Sequence, residues 1–185
     1  MASGLIAPAF KEWHVIVEAL GAGEQILILR KGGIAEGKGG FAVKNQRFWL
    51  FPTVFHAQLD KTKPAAARFF PGTATDPKAV VLSYFAQVEK AVFLTDWERA
   101  RSLDRFHLWS EDTVRERFDW SKPAGLYALA VRVFRVPTPI RISVTPELAG
   151  CKSWIEVPAP LPDSGSAQPV LPDGDFYNLL QQIGL

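Results

Sequence analysis

The chain carries a single cysteine, Cys151, in 185 residues. That excludes an internal disulfide framework and any thiolate zinc site built by this chain alone, and it fits a reducing compartment. No run reaches the roughly 18 consecutive apolar residues of a membrane helix. The opening MASGLIAPAFKEW lacks the basic start and apolar stretch of a signal peptide. The expectation is a cytoplasmic protein with no membrane contact. An excess of charge is missing too: 21 Lys and Arg stand against 19 Asp and Glu, a formal net charge of +2. That charge does not by itself support strong non-specific nucleic-acid binding, and any basic surface must be local. His14, His56 and His107 are scattered and form no HExxH or similar spacing, so no metal site and no cofactor are expected.

What is present is core material. A hydrophobic share of 48%, with 12% aromatic residues, excludes wholesale disorder and a collagen-like fibre. The length fits one domain over residues 1–185, with an irregular excursion at 60–78 and a Pro-rich wrap at 158–172 before a C-terminal helix.

Apolar patterning supplies the elements. Phe10, Trp13, His14 and Val17 fall at i, i+3, i+4 and i+7, which predicts an amphipathic helix that begins after Pro8 and ends at Gly21 and Gly23. Residues 25–29 (QILIL) read as a short strand covered on both faces. Residues 47–51 (RFWLF) read as a second strand stopped by Pro52, and the two are expected to pair as a hairpin across a long connection. Residues 79–94 alternate with a two-residue period, as one long strand or two with a bend. Asp96 is expected to cap a short helix through Ala100, and Ser110 a helix over residues 111–118. Residues 125–136 give the strongest strand signal. Residues 140–144 form a further strand, with Pro137 and Pro139 as the corner between them. CKSWIEV supplies a last short strand, and Asp173 opens a helix with Phe176, Leu179, Leu180 and Ile183 on one face. The fold class expected is α+β, with a mostly antiparallel, barrel-like sheet and peripheral helices.

Chemistry is concentrated in residues 30–47. There Gly32, Gly33, Gly37, Gly39 and Gly40 are interleaved with Arg30, Lys31, Lys38, Lys44 and Arg47, against one acid, Glu36. Backbone amides bared by glycine beside cations can cradle phosphate. Neither GxxxxGK[ST] nor GxGxxG occurs, which excludes the two common nucleotide loops. The segment reads either as a solvated connection or as a contact for an anion or a nucleic-acid backbone through Arg30, Lys31, Gly32, Gly33, Lys38, Lys44 and Arg47. His56, just past a strand end, and Lys152, Ser153 and Trp154 are expected to line a cleft, with Trp154 able to stack on a base. Cys151 has no base tied to it and reads as a structural thiol. His14 reads as a core residue. Glu36-Gly37-Lys38 and Asp76-Pro77-Lys78 carry the acid-x-Lys spacing of metal-dependent nucleases, though in expected loops, and no catalytic residue is assigned.

Four segments in order, FKEWHVIVEALGAGEQILILRKGGI, RFWLFPTVFHAQ, LYALAVRVFRVPTPI and AGCKSWIEV, resemble a bacterial family known as domain of unknown function 1802. The resemblance covers most of the chain except residues 61–78 and the last linker. It implies no established activity. Some members are joined to a restriction-type endonuclease domain, which implies a restriction or defence setting and a protein partner such as a nuclease. In shape, a helix over 111–118 followed by a long strand, an Arg-rich turn and a Pro-bounded strand resembles the small barrels of the PUA and ASCH type, which bind RNA or modified bases, with no sequence motif shared. The leading expectation is a nucleic-acid-binding accessory or recognition module. The alternatives are a metal-dependent nuclease or phosphoester hydrolase, and a protein-interaction scaffold that uses the terminal helix and the Pro-rich wrap.

Overall fold

The computed structural model describes residues 6–31, 43, 45–71, 76–120, 122–150 and 152–185. Its strands are β1 (Ala7–Trp13), β2 (Leu27–Lys31), β3 (Arg47–Thr53), β4 (Ala79–Leu94), β5 (Leu126–Ser143), β6 (Trp154–Val157) and β7 (Gln168–Pro169). The helices are α1 (His14–Gly21), α2 (Trp97–Arg101), α3 (Glu111–Trp120) and α4 (Asp173–Ile183). The strands form one sheet in the order β2-β5-β4-β3-β1-β6, with β7 added to β5. Only β1 and β3 run parallel among the described pairings; the others are antiparallel. The sheet curls into a half-barrel, so the α+β, mostly antiparallel expectation holds. Among the described residues, no helix is long and apolar enough to cross a membrane.

Two expectations fail for tertiary reasons. The stripe at Phe10, Trp13, His14 and Val17 straddles a strand and a helix. Residues 7–13 are extended because β1 pairs on one side with β3 and on the other with β6, and those ladders outweigh a short helical period. Trp13, with φ −59° and ψ 138°, is the switch point. The hairpin of β2 with β3 does not form: β5 and β4 stand between them. β4 and β5 build a far longer antiparallel ladder, from Ala79 opposite Ser143 to Leu94 opposite Leu126, and β2 adds to β5 instead.

The corner at Pro137 and Pro139 exists as a bulge within one strand. Leu82 faces Ile140 while Tyr84 faces Arg135, so residues 136–139 stand opposite Ser83 alone. Prolines have no N–H to give a ladder, so they fit a bulge. The slip also swaps faces. Phe48, Leu50, Tyr84 and Ala86 belong to the core under the helices, whereas Trp49, Phe51, Phe85 and, across the bulge, Leu82 belong to a second core. Ala9, Phe134, Val136 and Ile142 join that second core, which is how the far arm of the β4–β5 ribbon folds over β1 and β3.

The helix caps are as expected. Asp96 Oδ1 accepts from Glu98 N at 3.1 Å, and Ser110 Oγ accepts from Thr113 N at 3.3 Å. On α4, Phe176 and Ile183 are buried, and Arg99 Nη2 donates to Ile183 O and Gly184 O, each at 2.8 Å.

The excursion at 60–78 is partly docked. Thr62 bridges to Trp109, Lys63 N donates to Leu108 O at 2.8 Å, and residues Pro64–Phe69 form a 3-10 turn. The ammonium of Lys63 pairs with Asp104 Oδ1 at 2.9 Å and donates to His107 O at 3.0 Å. His107 beneath it is 4% exposed, and burial, with Lys63 adding, pushes its pKa down from 6.5 to about 4. The unfolded chain therefore takes up a proton near pH 6.5 that the folded protein refuses until about pH 4. Stability is full above that window and falls as pH drops through it, by roughly 3 kcal/mol in total. Denaturant unfolding across this range should show the loss, and His107→Gln should remove most of it; an unchanged slope in the variant would contradict the assignment.

Candidate functional site

The curl of the sheet brings its two margins together. Arg30, on the marginal strand β2, reaches Ser153, the residue before the opposite marginal strand β6, with Nη2 donating to the Ser153 hydroxyl. Its Nη1 lies 3.7 Å from Glu12 Oε2 on β1, and its guanidinium sits 4.9 Å from the Phe10 ring. Glu12 is fully buried; Oε1 accepts from Trp13 N at 2.7 Å, and Oε2 has no hydrogen bond among the described residues. A second guanidinium approaches from α3. Arg117 Nη1 donates to Leu29 O at 2.7 Å and packs 4.7 Å from Trp13 and 4.8 Å from Trp109. Burial pushes the Arg117 pKa down to about 10, with Glu12 opposing the shift, so it remains a cation at neutral pH.

Two guanidiniums around one carboxylate leave one positive charge at the end of β2. Lys31 adds another there. Its Nζ lies 3.7 Å from the ring of Trp120, which is 54% exposed at the end of α3. Partial burial lowers the Lys31 pKa, opposed by Glu116. Lys61 is close by, paired with Glu116 at 2.8 Å. The result is a cationic and aromatic surface at the strand end from which the Gly- and Lys-rich segment continues.

The sequence-predicted residues divide. Arg30, Lys31, Ser153 and Trp154 come together at this margin. Trp154 is not a free stacking platform: its ring sits edge-on, at 4.9 Å, to both Phe10 and Phe48. Arg47 lies on the other face, donating to Pro162 O at 2.7 Å over Phe85. Lys152 is exposed. Gly32, Gly33, Lys38 and Lys44, with Cys151 and Glu36-Gly37-Lys38, lie outside the described residues, and His56 begins a 3-10 turn whose first side chain is also outside them. In Asp76-Pro77-Lys78, Asp76 pairs with Arg141 and accepts from Lys78 N. Among the described residues no cluster of three His, Cys, Asp or Glu could hold a metal ion.

Glu12, Arg117 and Trp120 escaped sequence reasoning. The available signal was Arg117 on the stripe of α3 that also carries Thr113, Val114 and Phe118, all three of which are buried.

A concavity lies elsewhere, on the face of β1 away from Arg30. It measures about 710 Å³ and is lined by Phe51, Phe55, Val80 and Val144 with Lys11, His14 and Glu18. His14 thus lines a cleft and is only half-buried, where a core position was expected, and Trp154 does not line it. Because Trp154 is packing, Trp154→Ala should cost about 3 kcal/mol in denaturant unfolding. A loss below about 0.5 kcal/mol, the range of ordinary surface substitutions, would make it a surface ring.

Comparisons place the chain. No curated protein matches it. Crystal structures of an ASCH protein from Zymomonas mobilis resemble it weakly. The native protein is 15% identical over 95% of this chain and 93% of that chain, with a TM-score of 0.43. One point mutant is 17% identical over 76% of each chain, with a TM-score of 0.44. One family model, a domain of unknown function designated DUF1802, matches residues 9–182, a span that takes in both the charged margin and the cleft, and the chain belongs to that family.

Proposed function

We propose that the protein is a nucleic-acid-binding accessory or recognition module whose backbone contact is the margin formed by Arg30, Lys31 and Arg117. The observation that carries this reading is Lys31 over the exposed ring of Trp120, with the charges of Arg30 and Arg117 near Lys31, in a chain whose overall charge is only +2. Phosphates favour such local cations, and an exposed indole under a lysine offers a face for one base. Gly32 and Gly33 follow Lys31 directly in sequence and Lys38 and Lys44 come later in the same Gly- and Lys-rich segment, so the reading includes them as further phosphate contacts. In this reading Trp120 replaces Trp154 as the stacking residue, while Ser153 orients Arg30. Lys152, Arg47 and His56 are not needed for it. A separate nuclease as the protein partner, in a restriction or defence setting, is the biological context that the family resemblance implies.

Fluorescence anisotropy with single-stranded RNA and DNA oligonucleotides over a salt series tests the reading. Replacing Lys31, Lys38 and Lys44 together by Gln should flatten the plot of log affinity against log salt by about two units, at roughly 0.7 per lost contact on a single strand. Trp120→Ala should weaken binding by about 1–3 kcal/mol without changing that slope. Unchanged affinity in both variants, or no binding to either polymer, would overturn the reading.

A further inference from the structure

Lys61 is held in place by its backbone. Its carbonyl accepts from Ser110 N at 3.1 Å, from the Ser110 hydroxyl at 3.2 Å and from the Thr113 hydroxyl at 2.8 Å, all at the start of α3. The next residue, Thr62, bridges to Trp109. A lysine in an irregular segment is thereby fixed to the helix that carries Arg117 and Trp120, and its ammonium meets Glu116 Oε2 on that helix at 2.8 Å.

Glu116 and Trp120 stand four positions apart on α3, so they share a face. Lys31 sits on the Trp120 ring. The Lys61 ammonium, hydrogen-bonded to Glu116, holds its carboxyl below the usual carboxylate range, and Lys31 and Arg117 add to the pull. Glu12, the other acid at this margin, already faces Arg30 and Arg117 inside the curl. Glu116 is therefore the acid that the margin presents to solvent, its side chain 64% exposed against 38% for Lys61. An ion pair open to water is held weakly, because solvent screens it and both side chains lose freedom in making it. A phosphate oxygen offers a lysine the same charge-assisted bond as a carboxylate oxygen. A strand laid on the margin meets a carboxylate where its own phosphate would sit. It is repelled while Glu116 stays on Lys61, and it gains a contact once Glu116 swings away.

We propose, on the reading of this margin as a nucleic-acid contact, that Glu116 is an internal competitor for the strand: it holds Lys61 in the free protein and yields it to a phosphate next to the base stacked on Trp120. Lys61 is then a further backbone contact of the surface, and Glu116 sets the threshold for binding.

The test titrates labelled oligouridine and oligothymidine of about 15 nucleotides with the full chain over a salt series, followed by fluorescence anisotropy. Glu116→Gln should bind roughly three- to tenfold more tightly at low salt, with the slope of log affinity against log salt steeper by about 0.7, one added phosphate contact on a single strand. Lys61→Gln in that background should remove both the gain and the added slope. Glu111→Gln takes the same charge from α3 five positions earlier, where the acid pairs with Arg101 at 3.3 Å, and should gain less than about twofold. Circular dichroism should be unchanged in every variant, because none of these side chains is buried. A Glu116→Gln protein that binds no more tightly than Glu111→Gln, or a gain that survives Lys61→Gln, would overturn the proposal. If the unmodified chain binds and loses slope when Lys31, Lys38 and Lys44 become Gln, while Glu116→Gln changes nothing, the role of Glu116 falls and the reading of the margin stands. If neither the unmodified chain nor Glu116→Gln binds either polymer, both fall.

Discussion

A carboxylate buried with two guanidiniums holds the margins of the sheet together. The strand order starts at β2 and ends at β6, yet Arg30 of β2 meets Glu12 of β1 and Ser153 at the entrance to β6. Open margins expose unpaired backbone and invite foreign pairing, and curling with a side-chain latch is one way to cover them. Glu12 has lost its water entirely, so the cations beside it are what compensate its charge. Rings frame the latch: Arg30 sits over Phe10, which packs with Trp154, itself against Phe48, and Trp13 and Trp109 clasp Arg117. The same two guanidiniums leave the net positive charge on which the proposed backbone contact depends.

The second face depends on a slip in register. The bulge of residues 136–139 opposite Ser83 turns the far arm of the β4–β5 ribbon so that Leu82, Val136 and Ile142 pack on Ala9, Trp49 and Phe51. This closes one side of the cleft, and α1 closes another. Trp13 joins the two regions, because its ring touches Phe55 of the cleft wall at 5.0 Å and Arg117 of the charged margin at 4.7 Å. One residue at a strand-to-helix switch therefore touches both the charged margin and the wall of the cleft.

Much of this was legible in the chain wherever the signal was local. The alternation over residues 79–94, the apolar run at 26–29 and the capping residues Asp96 and Ser110 all depend on neighbours in sequence, and they formed as read. Pairing was not legible. β2 pairs with β5, about a hundred positions away, because of which ladder is longest, and nothing within residues 25–51 encodes that. The strand at Ala7–Trp13 was hidden for a related reason, since its neighbours β3 and β6 come later in the chain. For the site, the basic character of Arg30 and Lys31 could be read from composition, whereas Glu12 and Arg117 look like ordinary surface charges until the curl buries them. Trp120 and Trp154 are indistinguishable in sequence, and only packing separates the exposed ring from the half-buried one.

The central claim is that Glu12 and Arg30 act as one unit in closing the half-barrel. A double-mutant cycle of Glu12→Gln, Arg30→Gln and the pair, measured by denaturant unfolding at pH 7, tests it most directly. The account predicts a coupling energy of about 1–3 kcal/mol, with the double variant more stable than the sum of the two single losses allows. Losses that add within about 0.3 kcal/mol would contradict it.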